Sequence, residues 1–229
     1  MPTWKLVING SDHSELQSPF RPLPSAFGVE VKTAVQYEVT SAETGRILAE
    51  IDAKWDSQSD AVFSSCMAYR YFLIRRWITP ASLFEPGSNR LNEVVAFVCL
   101  NPSTADFTTN DPTVRRCIAY ASEWGFGGYA MLNAFAFRAT EPKDMKAQTD
   151  PNGPDNDAVL RHVASRAGLV VAAWGTNASH LDRHHQLCRT LPEISDIHAL
   201  KMTDGGFPGH PLYLKKSLRP QIWIPRKSA

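Results

Sequence analysis

Three apolar runs in this chain stop on residues that carry hydrogen-bonding groups rather than on plain turn formers, and a later loop offers a fourth such group. "FVCL" gives way to Asn101-Pro102-Ser103, "YAMLN" ends on Asn133, "LVVAA" runs into Trp174-Gly175-Thr176, and a later loop reads Gly209-His210-Pro211. A carboxamide offers a donor and an acceptor at once, so Asn101 and Asn133 suit the holding of a water or the reading of a polar edge. A histidine between Gly209 and Pro211 is a poor core residue and a good ring N–H donor. Asp106, five residues past Asn101, adds an acid–base group, and Phe107 beside it adds a flat apolar ring. The cysteines Cys66, Cys99, Cys117 and Cys188 have neither CxxC nor Cys/His ligand spacing. No metal and no cofactor are therefore expected, and the thiols are read as reduced and mostly buried.

The elements that must position these groups alternate. "VVAFVCL" is a continuous apolar run, which suits a strand covered on both faces. "NDPTVRRCIAYASEWGFGG" follows as a helix, with Asp111 as cap, Pro112 in the first turn and Val114, Ile118 and Ala121 on one face. "YAMLNAFAF" is a strand, "DNDAVLRHVASRAG" a helix with Val159, Leu160, Val163 and Ala167 inward, and "LVVAAWG" a strand. "NASHLDRHHQLCRTL" is another helix, with His184-His185 on its surface, and "SDIHALKM" another strand. Strand alternating with helix predicts a three-layer α/β/α domain around a central, mainly parallel sheet. Ligands bind such sheets beyond the carboxyl ends of the strands, where Asn101, Asn133 and Thr176 fall.

Ahead of this domain, residues 1–60 read as a β-rich or irregular extension, and 61–229 as the α/β domain. "SPFRPLPSAFG" is loop, while "AVQYEVT" and "GRILAEIDAKW" alternate as strands do. "AVFSSCMAYRYFLIRRW" also reads as strands. At 229 residues with 43% hydrophobic and 21% charged, the chain is ordinary globular material. It shows no membrane-spanning run and no secretory leader, so a cytoplasmic protein is expected. A net charge of +1 excludes a highly basic nucleic-acid coat. The charge is uneven, however: beyond residue 200, Lys201, Lys215, Lys216, Arg219, Arg226 and Lys227 face the single acid Asp204. That is either a local phosphate-binding face or a solvated tail.

The order "CLNPSTAD", "AMLNAFAF", "VAAWGTNA", "GHPLYLKK" resembles the uracil-DNA glycosylase superfamily. There a GQDPYH or GINPG motif, strands ending in LLLN and LLWG, and a late HPSPLS loop follow in the same sequence. Across residues 62–223 the chain is also similar to a family of bacterial and phage proteins of unknown function, through "YRYFLIRRW", "LNPSTAD", "DPTVRRC", "FAFRAT", "AAWG" and "HPLYL". The first resemblance implies a uracil-DNA-glycosylase-like fold and hydrolysis of an N-glycosidic bond. Asn101 would orient the attacking water, Pro102 fix its turn, Asp106 assist as acid or base, and His210 hold the leaving base as it gains charge. Asn133 would read the flipped pyrimidine, and Phe107 would stack on it. Leu212, Tyr213 and Leu214 would fill the vacated stack, with Lys215, Lys216 and Arg219 on the backbone of double-stranded DNA. No membrane and no obligate protein partner are implied.

One departure from the pattern bears on the substrate. Where the uracil-specific form has a tyrosine crowding C5 of the ring, this chain has Ser103. A small hydroxyl leaves room for a substituent, which points to a C5-modified pyrimidine such as hydroxymethyl- or glucosyl-hydroxymethylcytosine of phage DNA. Its excision would leave abasic sites and serve antiviral defence. Uracil itself, a base-modifying transferase on the same scaffold, and a non-catalytic reader of modified DNA stand as the alternatives.

Overall fold

The computed structural model describes residues 41–77, 93–103 and 109–227. Asp106, Phe107 and the expected strand "AVQYEVT" lie outside the described residues. The compact unit that carries the sheet begins at Thr40. Its elements run α1 (Ala42–Lys54), β1 (Ser59–Phe63), β2 (Arg70–Arg76), β3 (Val94–Cys99), α2 (Pro112–Glu123), β4 (Gly128–Asn133), α3 (Pro142–Lys146), α4 (Asn156–Arg166), β5 (Leu169–Ala172), α5 (Arg183–Thr190), β6 (Ile197–Ala199) and β7 (Gln221–Ile224).

The sheet has seven strands in the order β1-β2-β4-β3-β5-β6-β7. Its centre, β4-β3-β5-β6, is parallel, as alternating strands and helices require. The outer pairs β1-β2, β2-β4 and β6-β7 are antiparallel, so the sheet is mixed rather than mainly parallel. Strand β7 went unread because "QIWI" is a single short run between prolines.

Helices cover both faces of the sheet. Val94, Ala96 and Val98 of β3 share a core with Ile47 and Ile51 of α1, Val159 and Val163 of α4, and Leu187 of α5. Val95, Phe97 and Cys99 point the other way, into a second core with Val114, Cys117 and Ala121 of α2. The period of two along β3 thus divides one strand between two cores, which explains its unbroken apolar run. All four cysteines are free; Cys99 and Cys117 are buried and Cys66 is exposed. No helix among the described residues is long and apolar enough to cross a membrane.

Residues 42–54 correct the reading of "GRILAEIDAKW" as a strand. They form α1, capped by the Ser41 hydroxyl accepting from Thr44 N at 3.1 Å. Ile47 and Ile51 lie four apart, a spacing that fits a strand's alternation and one helix face equally well. The cap and the Arg46 pairs to Glu43 and Glu50 favour the helix. Because α1 packs into the core of the sheet, the expected boundary near residue 60 falls inside this unit. The buried Asp155 at the head of α4 fastens it, accepting from the Thr44 hydroxyl at 2.5 Å and the Tyr71 hydroxyl at 3.1 Å.

Candidate functional site

Beyond the carboxyl ends of β3 and β5 the chain encloses a cavity of about 640 Å³. Asn101 and Ser103 line it from the end of β3, Asp111 from the start of α2, Trp174 from the end of β5, and His210 from the loop after β6. This is where a parallel sheet leaves a crevice, because its loops diverge there.

Asn101 is held rather than loose. Its Nδ2 donates to Ala139 O at 2.7 Å and to Pro102 O at 3.0 Å. Both partners are carbonyls, so the amide orientation is fixed. Its Oδ1 then remains the acceptor available to a ligand or water in the cavity. Pro102 is buried, and its carbonyl accepts from Ala139 N at 2.9 Å, which clamps the turn to the segment after β4. Ser103 lies between the main cavity and a neighbouring one of about 330 Å³ bordered by Met67 and Arg138.

His210 reaches the cavity because two glycines let two loops touch. Gly175 (φ +70°) donates to Pro208 O at 2.9 Å, and Gly209 donates to Lys201 O at 2.7 Å. A Cβ at Gly209 would lie 3.0 Å from that Lys201 carbonyl, too close for any other residue without movement. His210 Nδ1 accepts from Leu212 N at 3.4 Å, which assigns the ring proton to Nε2 and makes that atom a donor. Burial holds the ring's pKa below its usual value, with the Asp111 carboxylate pulling weakly the other way. The site therefore holds a neutral imidazole at pH 7.

Asn133 lies deeper than the sequence suggested. It pairs in register with Cys99, is fully buried and does not line the cavity itself. Neither Nδ2 nor Oδ1 has a hydrogen-bond partner among the described residues. Its backbone carbonyl accepts from Asn156 Nδ2 at 3.0 Å, so the strand end is fixed while the side chain is not satisfied. Tyr129, on the same face of β4, likewise buries a hydroxyl with no partner among the described residues.

The segment after His210 divides. Leu212 lines the cavity, Tyr213 is 83% exposed with its ring 5.5 Å from the His210 ring, and Lys215 and Lys216 are exposed. Leu214 turns inward against the α2-side core, which removes it from the expected plug. Arg219 is taken up by Glu123 at the far end of α2, donating to its carbonyl at 3.0 Å. That end lies about 18 Å from the cavity along a 12-residue helix, so Arg219 is a cap rather than a companion of the site.

Three further groups escaped the sequence reading. Asp111 was legible as a helix cap, and its Oδ1 does accept from Val114 N at 2.8 Å, but it also lines the cavity. Glu141 lines it with no signal beyond a glutamate before a proline. Arg70, fully buried on β2, donates to Met131 Sδ at 3.3 Å, and Met131 lines the cavity. A charge inside "YRYFLIRRW" was its only mark. The surface pair His184-His185 also needs correction: His184 is buried and its Nδ1 accepts from the Trp174 indole at 3.1 Å. That bond steadies Trp174 as a wall of the cavity. Among the described residues, no cluster of three or more His, Cys, Asp or Glu side chains could hold a metal ion.

Fold and site together define an α/β protein with a polar cavity at the carboxyl ends of its parallel strands. The chain belongs to the family described as "Protein of unknown function (DUF1643)", whose model matches residues 70–212. That match takes in Asn101, Asn133 and His210, and ends just short of Tyr213. Neither a curated protein nor a solved structure matches the chain.

Proposed function

We propose that this protein is a monofunctional DNA glycosylase of the uracil-DNA glycosylase type, acting on a flipped, C5-modified pyrimidine and leaving an abasic site. The observation that carries the reading is that Asn101 and His210 line one cavity with complementary roles already assigned. Asn101 has spent its donor on two carbonyls and keeps an acceptor. His210 has spent its acceptor on Leu212 N and keeps a donor.

The chemistry needs those two groups in that form. Water oriented by the Asn101 oxygen attacks the anomeric carbon as the glycosidic bond breaks, and the bonding electrons leave with the base. A neutral imidazole N–H then meets the base oxygen where charge accumulates, at little cost in reorganisation. Asp111 and Glu141 line the same cavity and can take the proton that the water sheds. Asp106 is a further acid–base residue of this proposal. Asn133, buried behind the cavity wall with a donor and an acceptor unpaired among the described residues, is the group proposed to read the base edge, and Phe107 the one proposed to stack on it. Ser103 leaves the C5 side open toward the neighbouring cavity, which favours hydroxymethyl- or glucosyl-hydroxymethylcytosine over uracil. Exposed Tyr213, with Leu212 at the rim, suits the vacated stack, while Lys215 and Lys216 suit the phosphates of double-stranded DNA. Removal of such bases from phage genomes would be an antiviral activity.

An alkali-cleavage assay tests this reading. Uracil DNA, unmodified DNA and phage DNA carrying each modified cytosine are incubated with the wild type and with Asn101→Ala. Cleavage of modified DNA, slowed about a hundredfold or more in the variant, is expected. Strand cleavage that persists unchanged in Asn101→Ala would refute the assignment.

A further inference from the structure

Met131, in the wall of the cavity, is backed by a buried cation that base excision by Asn101 and His210 does not itself require. Tyr129, Met131 and Asn133 alternate onto one face of β4, and Met131 reaches the cavity. Behind Met131 stands the guanidinium of Arg70, fully buried on the adjacent strand β2, with a nitrogen 3.3 Å from the thioether. Burial lowers the Arg70 pKa only to about 10, so it remains a cation at pH 7. Burial also raises the Tyr129 hydroxyl well above its ordinary range, so it keeps its proton. Among the described residues, Tyr129 and the cavity-wall carboxylate Asp111 act on Arg70 in favour of its charge, Arg138 acts more weakly against it, and Cys99 weakly in its favour.

A thioether is a weak acceptor on a flexible side chain, and makes a polarisable spacer between a cation and a ligand. Inside a protein such a charge is poorly screened, so it acts beyond contact distance. We propose that Arg70, acting through Met131, is an electrostatic positioning residue that favours a ligand whose inward edge is anionic or becomes so. The proposal rests on the glycosylase reading, in which the departing pyrimidine is the group that gains negative charge. It adds a second source of leaving-group stabilisation, beneath the base rather than beside it.

Two free bases test it on the full chain. Uracil is neutral at pH 7, whereas 5-nitrouracil is an anion there and changes its absorption when it ionises. The wild type should bind 5-nitrouracil about tenfold to a hundredfold more tightly than uracil. Arg70→Lys should keep most of that preference and Arg70→Met should lose it. A folded Arg70→Met with an undiminished preference overturns the proposal. Should Arg70→Met fail to fold, His210→Ala decides, because with the imidazole donor gone the Arg70 charge must still make bound 5-nitrouracil ionise at lower pH than the free base. Ionisation at the same or higher pH overturns the inference while leaving the cavity a pyrimidine site, as does equal binding of both bases. Binding of neither removes the pyrimidine reading and this inference with it.

Discussion

Asn133→Leu should make the free protein more stable and the enzyme inactive. Leucine has the same branching as asparagine, so the substitution exchanges two polar atoms for methyl groups with little change of shape. In the folded protein both polar atoms of Asn133 are buried without partners among the described residues, whereas in the unfolded chain both are hydrated. An unsatisfied buried group costs about 1–3 kcal/mol, and apolar burial at the same place is favourable. The substitution should therefore stabilise folding by about 1–3 kcal/mol. For a unit of this size that raises Tm by roughly 2–4 °C per kcal/mol. Urea denaturation followed by circular dichroism measures the first quantity, and base release from modified DNA measures the second. Asn133 would then be a residue kept for a ligand at the expense of stability. A variant less stable than the wild type by 1 kcal/mol or more would refute the reasoning, because it would mean that the carboxamide is satisfied in solution and has a structural role.

Further outcomes follow from the same geometry. His210→Ala should lower the rate of base release about a hundredfold to a thousandfold with little change in DNA affinity, read from single-turnover kinetics against binding. Gly209→Ala should lower stability by about 1–3 kcal/mol, because its Cβ meets a backbone carbonyl that cannot move freely, and thermal melts will show it. His184 and His210 are both held below the ordinary histidine range by burial. Their folded forms prefer neutrality, so this contribution to stability is complete above pH about 6.5 and is lost as pH falls below it. Urea midpoints at pH 8 and pH 5 should differ accordingly, and by less in His184→Gln. Lys215→Ala with Lys216→Ala should flatten the salt dependence of DNA binding by a slope of about two, whereas Arg219→Ala should leave it unchanged.

The parallel centre of the sheet and helices α2 and α4 were legible because hydrophobic period, caps and glycine stops agreed there. Asp111 followed by Pro112 marks one helix start, and the strand "VVAFVC" is apolar throughout because it feeds two cores. Helix α1 was misread because Ile47 and Ile51 satisfy both periods, and its tertiary contacts decide between them. The placing of Asn101 and His210 at the cavity was legible because a polar residue at the end of a buried strand, or between glycine and proline, has few structural uses. What stayed hidden depends on distance in three dimensions. Arg70 lies 61 residues from the Met131 it touches, and Arg219 lies 96 residues from the Glu123 that occupies it. Leu214 and Tyr213 are neighbours in sequence, yet one packs inward and the other faces solvent. Periodicity over one turn of chain carries no information about such pairs.

Base excision breaks a glycosidic bond, so counting both products tests it without an intermediary. Phage DNA containing glucosyl-hydroxymethylcytosine would be incubated with purified protein, and the small-molecule fraction analysed by mass spectrometry while abasic sites are counted in the polymer. Free modified base and abasic sites are expected in equal amounts, with both reduced about a hundredfold or more in Asn101→Ala. Bound but intact DNA, or a modified base altered without leaving the strand, would contradict base excision.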